Sequence, residues 1–141
     1  MRLLPILAVS LLMIGCATTT FKPWSNNSVY KGTGGSVRNV DGIDIWEHGA
    51  PDRPYQIIGI IDSGTPITGG VFLLYNLATM DSNIIATAKE HGADGIIMIE
   101  NTQNPVGQSS SGSPLLNLKE VVAAIIYVDP KSKVLESGQL L

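Results

Sequence analysis

Three stretches of the chain place apolar side chains on both parities of an extended backbone: Ile57, Ile58, Ile60 and Ile61; Ile96 through Ile99; and Val121 through Val128. Successive side chains of a strand point to opposite faces, so runs of this kind call for cover on both sides of a sheet. They predict strands over residues 54–62, 94–100 and 121–128. Residues 41–48 alternate instead. Ile43 and Ile45 share one face and Asp44, Trp46 and His48 the other, the pattern of a half-buried strand. Pro51-Asp52 in the following segment suits the centre of a turn, so strands 41–48 and 54–62 are expected to form a hairpin.

Helical spacing is clear over residues 82–91. Asp81 or Ser82 can cap the start, Ile84, Ile85 and Ala88 fall on one stripe, and Gly92 stands where a left-handed terminal residue is needed. The order strand, helix, strand favours a parallel crossover. The expected fold is therefore α+β: a small mixed sheet of about four strands, made of a β-hairpin, a strand-helix-strand unit and a further strand, with one main helix on one face. That helix covers one side only. The face away from residues 82–91 is thus expected to meet a protein partner or a second copy of the chain.

Between these elements the chain is polar or ambiguous. Residues 71–78, VFLLYNLA, fit a strand, a helical turn or an apolar flap. SGTPITGG, residues 63–70, reads as a turn-rich loop, residues 101–114 as a mobile Ser/Gly-rich excursion, and residues 130–141 as a loose tail. Residues 17–38, rich in Thr, Ser, Asn and Gly, read as a flexible tether. KGTGGS within it lacks both G-x-G-x-x-G and Walker spacing, so it is not read as a phosphate loop.

The amino terminus carries the most specific signal. Met1-Arg2 is followed by an apolar segment from Leu3 to Ile14, then Gly15 and Cys16, which is secretory-signal architecture. Twelve residues of helix cover about 18 Å, short of the hydrocarbon core of about 30 Å. Met13-Ile14-Gly15-Cys16 resembles the lipobox of bacterial lipoprotein precursors, with Met13 where the family usually has Leu. The resemblance implies cleavage before Cys16 and acylation of its thiol and amine, palmitate-type chains that hold the protein on a bilayer. Ala17, where an Asp would imply inner-membrane retention, implies the periplasmic side of the outer membrane; a Gram-positive surface fits the same motif. The expected division is residues 1–15 signal peptide, 16–38 lipidated cysteine and tether, 39–129 α+β domain and 130–141 tail.

Composition narrows the function classes. Of 141 residues nine are Lys or Arg and twelve Asp or Glu; loss of Arg2 with the signal leaves a net charge of −4. No basic cluster exists, which argues against nucleic-acid binding. One cysteine forms no intramolecular disulfide. His91 suits a helix end, while His48 with Asp44, Glu47 and Asp52 makes at best a weak metal site, and none is assigned. GQSSSG lacks the G-x-S-x-G spacing, and Asp41, Asp44 and Asp62 have no fixed separation. No catalytic residue, cofactor or metal ligand is therefore expected.

PDRPYQIIGIID, then DSNIIATAKEHGADGIIMIE and an apolar strand are similar to small bacterial envelope lipoproteins of uncharacterised role. Lys89 to Ile97 also resembles the YbjQ-type domain and the related Rcs stress-sensor lipoprotein, although that sensor depends on internal disulfides. The expectation is a lipid-anchored, non-enzymatic envelope protein acting by protein contact, as an accessory or sensor component. The alternative is a periplasmic binding module for a cell-wall or small-molecule ligand, using a cleft between residues 63–70 and the Ser-rich loop.

Overall fold

The computed structural model describes residues 18–68, 81–108 and 114–129. The apolar runs form the middle of one seven-stranded sheet, built from β1 (Thr18–Pro23), β2 (Val29–Tyr30), β3 (Gly34–Val40), β4 (Ile43–Ala50), β5 (Tyr55–Thr68), β6 (Gly95–Gln108) and β7 (Pro114–Tyr127). The order is β1-β5-β7-β6-β4-β3, with β2 also on β5. One helix, α1, is described over residues 81–90. The small four-stranded α+β expectation is therefore wrong: the fold is mostly sheet, mixed and seven-stranded.

The pairing departs from expectation because non-local partners decide it. β4 and β5 form no hairpin, since β7 and β6 stand between them. β5 and β6 do run the same way on either side of α1 in sequence, but β7 is inserted between them and pairs antiparallel with both. The parallel ladder joins β4 to β6, Asp44–Trp46 against Gly95–Ile97. A bulge between Ile57 and Gly59 also changes the phase of β5. Ile58 and Ile61 thus pack in the cluster under α1, while Ile57 joins the opposite cluster.

Residues 18–38, expected as a tether, contain β1, β2 and part of β3. β5 has a second edge whose N–H and C=O groups need partners, and a Thr-rich extended segment supplies them. β1 runs antiparallel from Thr18 opposite Gly64 to Pro23 opposite Gly59, and Trp24 N–H then donates to the Ile58 carbonyl at 3.0 Å. Phe21 stacks on His91 with ring centroids 3.7 Å apart, and Tyr30 lies 5.9 Å from Tyr55. Residues 101–108 and 114, expected in a loop, extend β6 and β7, and residues 63–68 extend β5. Residues 71–78, Cys16 and the tail 130–141 lie outside the described residues.

Both faces of the sheet are packed. Ile43, Ile45, Ile61, Ile96, Val122 and Ala124 meet Ile84, Ile85 and Ala88 of α1. Trp46, Tyr55 and Ile125 form the opposite cluster, with Tyr30, Ile57, Ile97 and Tyr127 against it, so β-strand side chains cover part of the face away from α1. Asp81 and Ser82 are already helical, which puts the N-cap outside the described residues. Gly92 takes φ 74° and Ala93 N–H donates to Ala88 C=O at 2.9 Å, closing the helix as its sequence implied.

Candidate binding cleft

The first turn of α1 lies beside the β3–β4 hairpin, and a cleft of about 400 Å3 opens between them. Arg38 projects from β3, Asp81 and Lys89 from α1, and Asp41 from the hairpin turn, where its φ is 51°. Arg38 donates to Glu47 of β4 at 2.6 Å and stands 3.9 Å from Asp81. Below this surface, Glu120 of β7 shares a small void with Arg38, Asp81, Ile84 and Met98.

Glu120 is only 5% exposed. Burial pushes its carboxyl from 4.5 up to about 7, the Asp81 carboxylate adds to the rise, and Arg38 opposes it. Burial likewise raises Asp81 above the usual carboxylate value; Arg38 counters that rise and Glu47 reinforces it. One guanidinium thus faces three carboxylates. The site is negative when all are ionised and accommodates a proton on Glu120 near neutrality.

A second polar cluster holds the other end of the sheet. The Tyr127 hydroxyl donates to Asp44 Oδ2 at 2.7 Å and accepts from the Trp46 indole at 3.2 Å, and Asn39 Nδ2 donates to Asp44 Oδ1 at 2.8 Å. The Arg53 guanidinium carbon lies 3.2 Å from the Tyr127 ring centre. The Asn39 bond is the largest influence holding Asp44 below its ordinary value, followed by the Tyr127 bond; desolvation works the other way and Arg53 helps. Desolvation raises Tyr127. Each partner is occupied by the others, so this cluster pins β3, β4 and β7 together.

Sequence reasoning placed candidate chemistry elsewhere. Among the described residues no three His, Cys, Asp or Glu side chains gather as a metal site, so His48, Asp44, Glu47 and Asp52 are not brought together. Asp62 sits on β5, with two strands, β7 and β6, between it and β4 with its Asp44. Ser109 to Ser111 fall outside the described residues, and β5 and β6 flank β7 where the alternative cleft was expected. Glu120 and Arg38 were not singled out. Leu118, Glu120, Val122 and Ala124 nevertheless share one strand parity, and a carboxylate on that buried parity was the readable signal. No family model, curated protein or solved structure matches the chain, so the resemblance to envelope lipoproteins rests on the residues quoted for it.

Proposed function

We propose that the chain is a lipid-anchored, non-enzymatic envelope protein, held through Cys16 on the periplasmic side of the outer membrane and acting by protein contact as an accessory or sensor component. Anchoring is supported by Met13-Ile14-Gly15-Cys16, after which the sheet begins only two residues on, at Thr18. Among the described residues no helix is long and apolar enough to cross a membrane.

The observation that carries the contact role is the edge strand β3. Among the described residues it pairs with β4 alone, so its outer N–H and C=O groups can accept a partner's strand. Val37 at its centre is 47% exposed. A photo-cross-linking residue at Val37, in intact cells, is expected to capture one defined neighbour, and Cys16→Ser is expected to abolish that capture by releasing the protein from its membrane. Equal capture from Val37 and from the exposed Lys31, or capture indifferent to Cys16→Ser, would refute it.

The charged cleft favours a second reading, a binding module for a cationic small ligand. A metabolite or glycan retained by the purified protein and lost in Asp81→Asn would reverse the ranking.

A further inference from the structure

Charge is distributed unevenly between the two ends of the sheet. Residues 63–80 contain no Asp, Glu, Lys, Arg or His, and neither do residues 101–118. In the fold the described parts of these segments, residues 63–68, 101–108 and 114–118, supply the same end. The register sets Thr18, Gly64, Lys119 and Thr102 on one level, and beyond it β5, β7 and β6 continue without β1. Ile67 there pairs with Leu116, and Leu116 with Pro105. Lys119 and Glu100, 3.6 Å apart, are among the first charges back towards the rest of the sheet. The opposite end carries Asp44, Arg53 and Asp94 among its hydrogen-bonded and paired groups.

β1 starts at the uncharged end. It runs antiparallel to β5, so its first residue, Thr18, lies on the Thr68 side of β5 and its last, Pro23, on the Tyr55 side. Cys16 is two residues from Thr18, a reach of at most about 7 Å. β5 overruns that level by four residues and β7 by five, about 14 and 17 Å at the rise of an antiparallel strand. The overhang therefore passes the deepest reach of Cys16 by roughly 7 to 10 Å, which matches the burial of about 5–10 Å found for interfacial segments.

Resting on the proposed acylation of Cys16, we infer that the uncharged overhang of β5, β6 and β7 docks into the headgroup–acyl boundary of the same bilayer that holds the anchor, standing the sheet on end. An anchor two residues from an edge strand leaves no slack for the domain to swing away. Charge at this end would oppose docking by its desolvation cost, and the sequence supplies none.

The test uses the full acylated protein in phosphatidylethanolamine–phosphatidylglycerol vesicles, with Cys16 consumed by its lipid and a single label introduced by Thr68→Cys or Gln108→Cys. Asp52→Cys and Lys31→Cys label the far end. Nitroxide lipids are expected to quench the first pair at least about threefold more than the second, as interfacial burial requires. Equal quenching in a preparation that floats with the vesicles and has the mass of an acylated Cys16 would overturn the docking alone. An unmodified Cys16 in that mass measurement would overturn the anchor and the docking together. Circular dichroism of each labelled chain identifies any variant that has lost the sheet, and Thr68→Lys then serves as the second probe: it is expected to raise the exposure of label 108, and an unchanged signal would count against docking.

Discussion

Replacing Glu120 with Gln should change how stability depends on pH. The carboxyl lies 5% exposed beneath Asp81 and Arg38, and burial raises it from 4.5 to about 7. Its folded-state value is higher than its unfolded value, so between those two limits the native protein keeps a proton that the unfolded chain has released. Stability must therefore fall as pH rises from about 4.5 to about 7, then level off. At 1.36 kcal/mol for each tenfold change in proton affinity, the total fall is on the order of 3 kcal/mol. Gln keeps the shape and cannot ionise. Glu120→Gln should match the parent near pH 4, exceed it by up to that amount at pH 8, and lose most of the slope between, the remainder belonging to Asp81, which burial also raises. Urea unfolding of the chain carrying Cys16→Ser, repeated across pH 4 to 8, reads the difference directly. A parent whose stability is flat or rising through this window would refute the reasoning, as would a Glu120→Gln chain with the parent's slope. Asp44 does not confuse the measurement: its value is lowered below 3.8, so the stability it contributes is lost only as pH falls below that range.

Arg38→Met removes the one cation opposing the rise, so the pH window of Glu120 should extend upwards, seen as a midpoint above that of the parent in the same titration. Tyr127→Phe deletes the hydroxyl shared by Asp44 and Trp46 and is expected to cost about 1–2 kcal/mol in urea unfolding. The same change should raise the Asp44 carboxyl in an NMR titration, and an unmoved Asp44 would count against the bond. Gly59→Ala sets a methyl group against the Phe21 ring at the β5 bulge, an overpacking cost of about 1–3 kcal/mol. Phe21→Leu added to it should recover part of that loss; simple additivity of the two would show that the ring is not the obstacle.

The strand-forming runs were legible because burial on both faces writes apolar residues on both parities, as at Ile96–Ile97 and Val122–Ile125. The helix was legible from the stripe of Ile84, Ile85 and Ala88 and from Gly92, and its described extent of 81–90 differs by one residue at each end from the expected 82–91. Pairing was not. Which strand lies beside which depends on contacts far apart in sequence, and Pro51-Asp52 looks the same whether the chain reverses into a hairpin or travels to another part of the sheet. β1 was missed for a different reason: Thr18 to Lys22 has little apolar content, and its extended state comes from the ladder offered by β5 rather than from its own pattern. Bulges defeated face assignment too, since one extra residue near Ile58 or Ile99 shifts every later side chain by one parity.

The buried carboxylate and the uncharged end meet at one level of the sheet. Glu120 pairs with Ser63 and Asn101, one residue from the Thr18–Gly64 level at which the overhang begins. In the docked orientation it stands about 10 Å from the deepest reach of Cys16, on the side away from the bilayer. At 0.01 M ionic strength the screening length is about 30 Å, so most of an anionic membrane's surface potential persists at that height; at 1 M it is about 3 Å and almost none does. A potential of about −30 mV concentrates protons by roughly threefold, equivalent to about half a pH unit. The Glu120 midpoint, read from its carboxyl infrared band in the acylated protein, should therefore rise by about that much on anionic vesicles in low salt and return towards its value on zwitterionic vesicles in 1 M salt. Its sign follows from geometry alone, because negative headgroups nearby can only favour the protonated form. A midpoint indifferent to lipid charge at low salt would mean that the uncharged end stands off the bilayer, and a downward shift would mean that a cationic surface, not a membrane, lies against it.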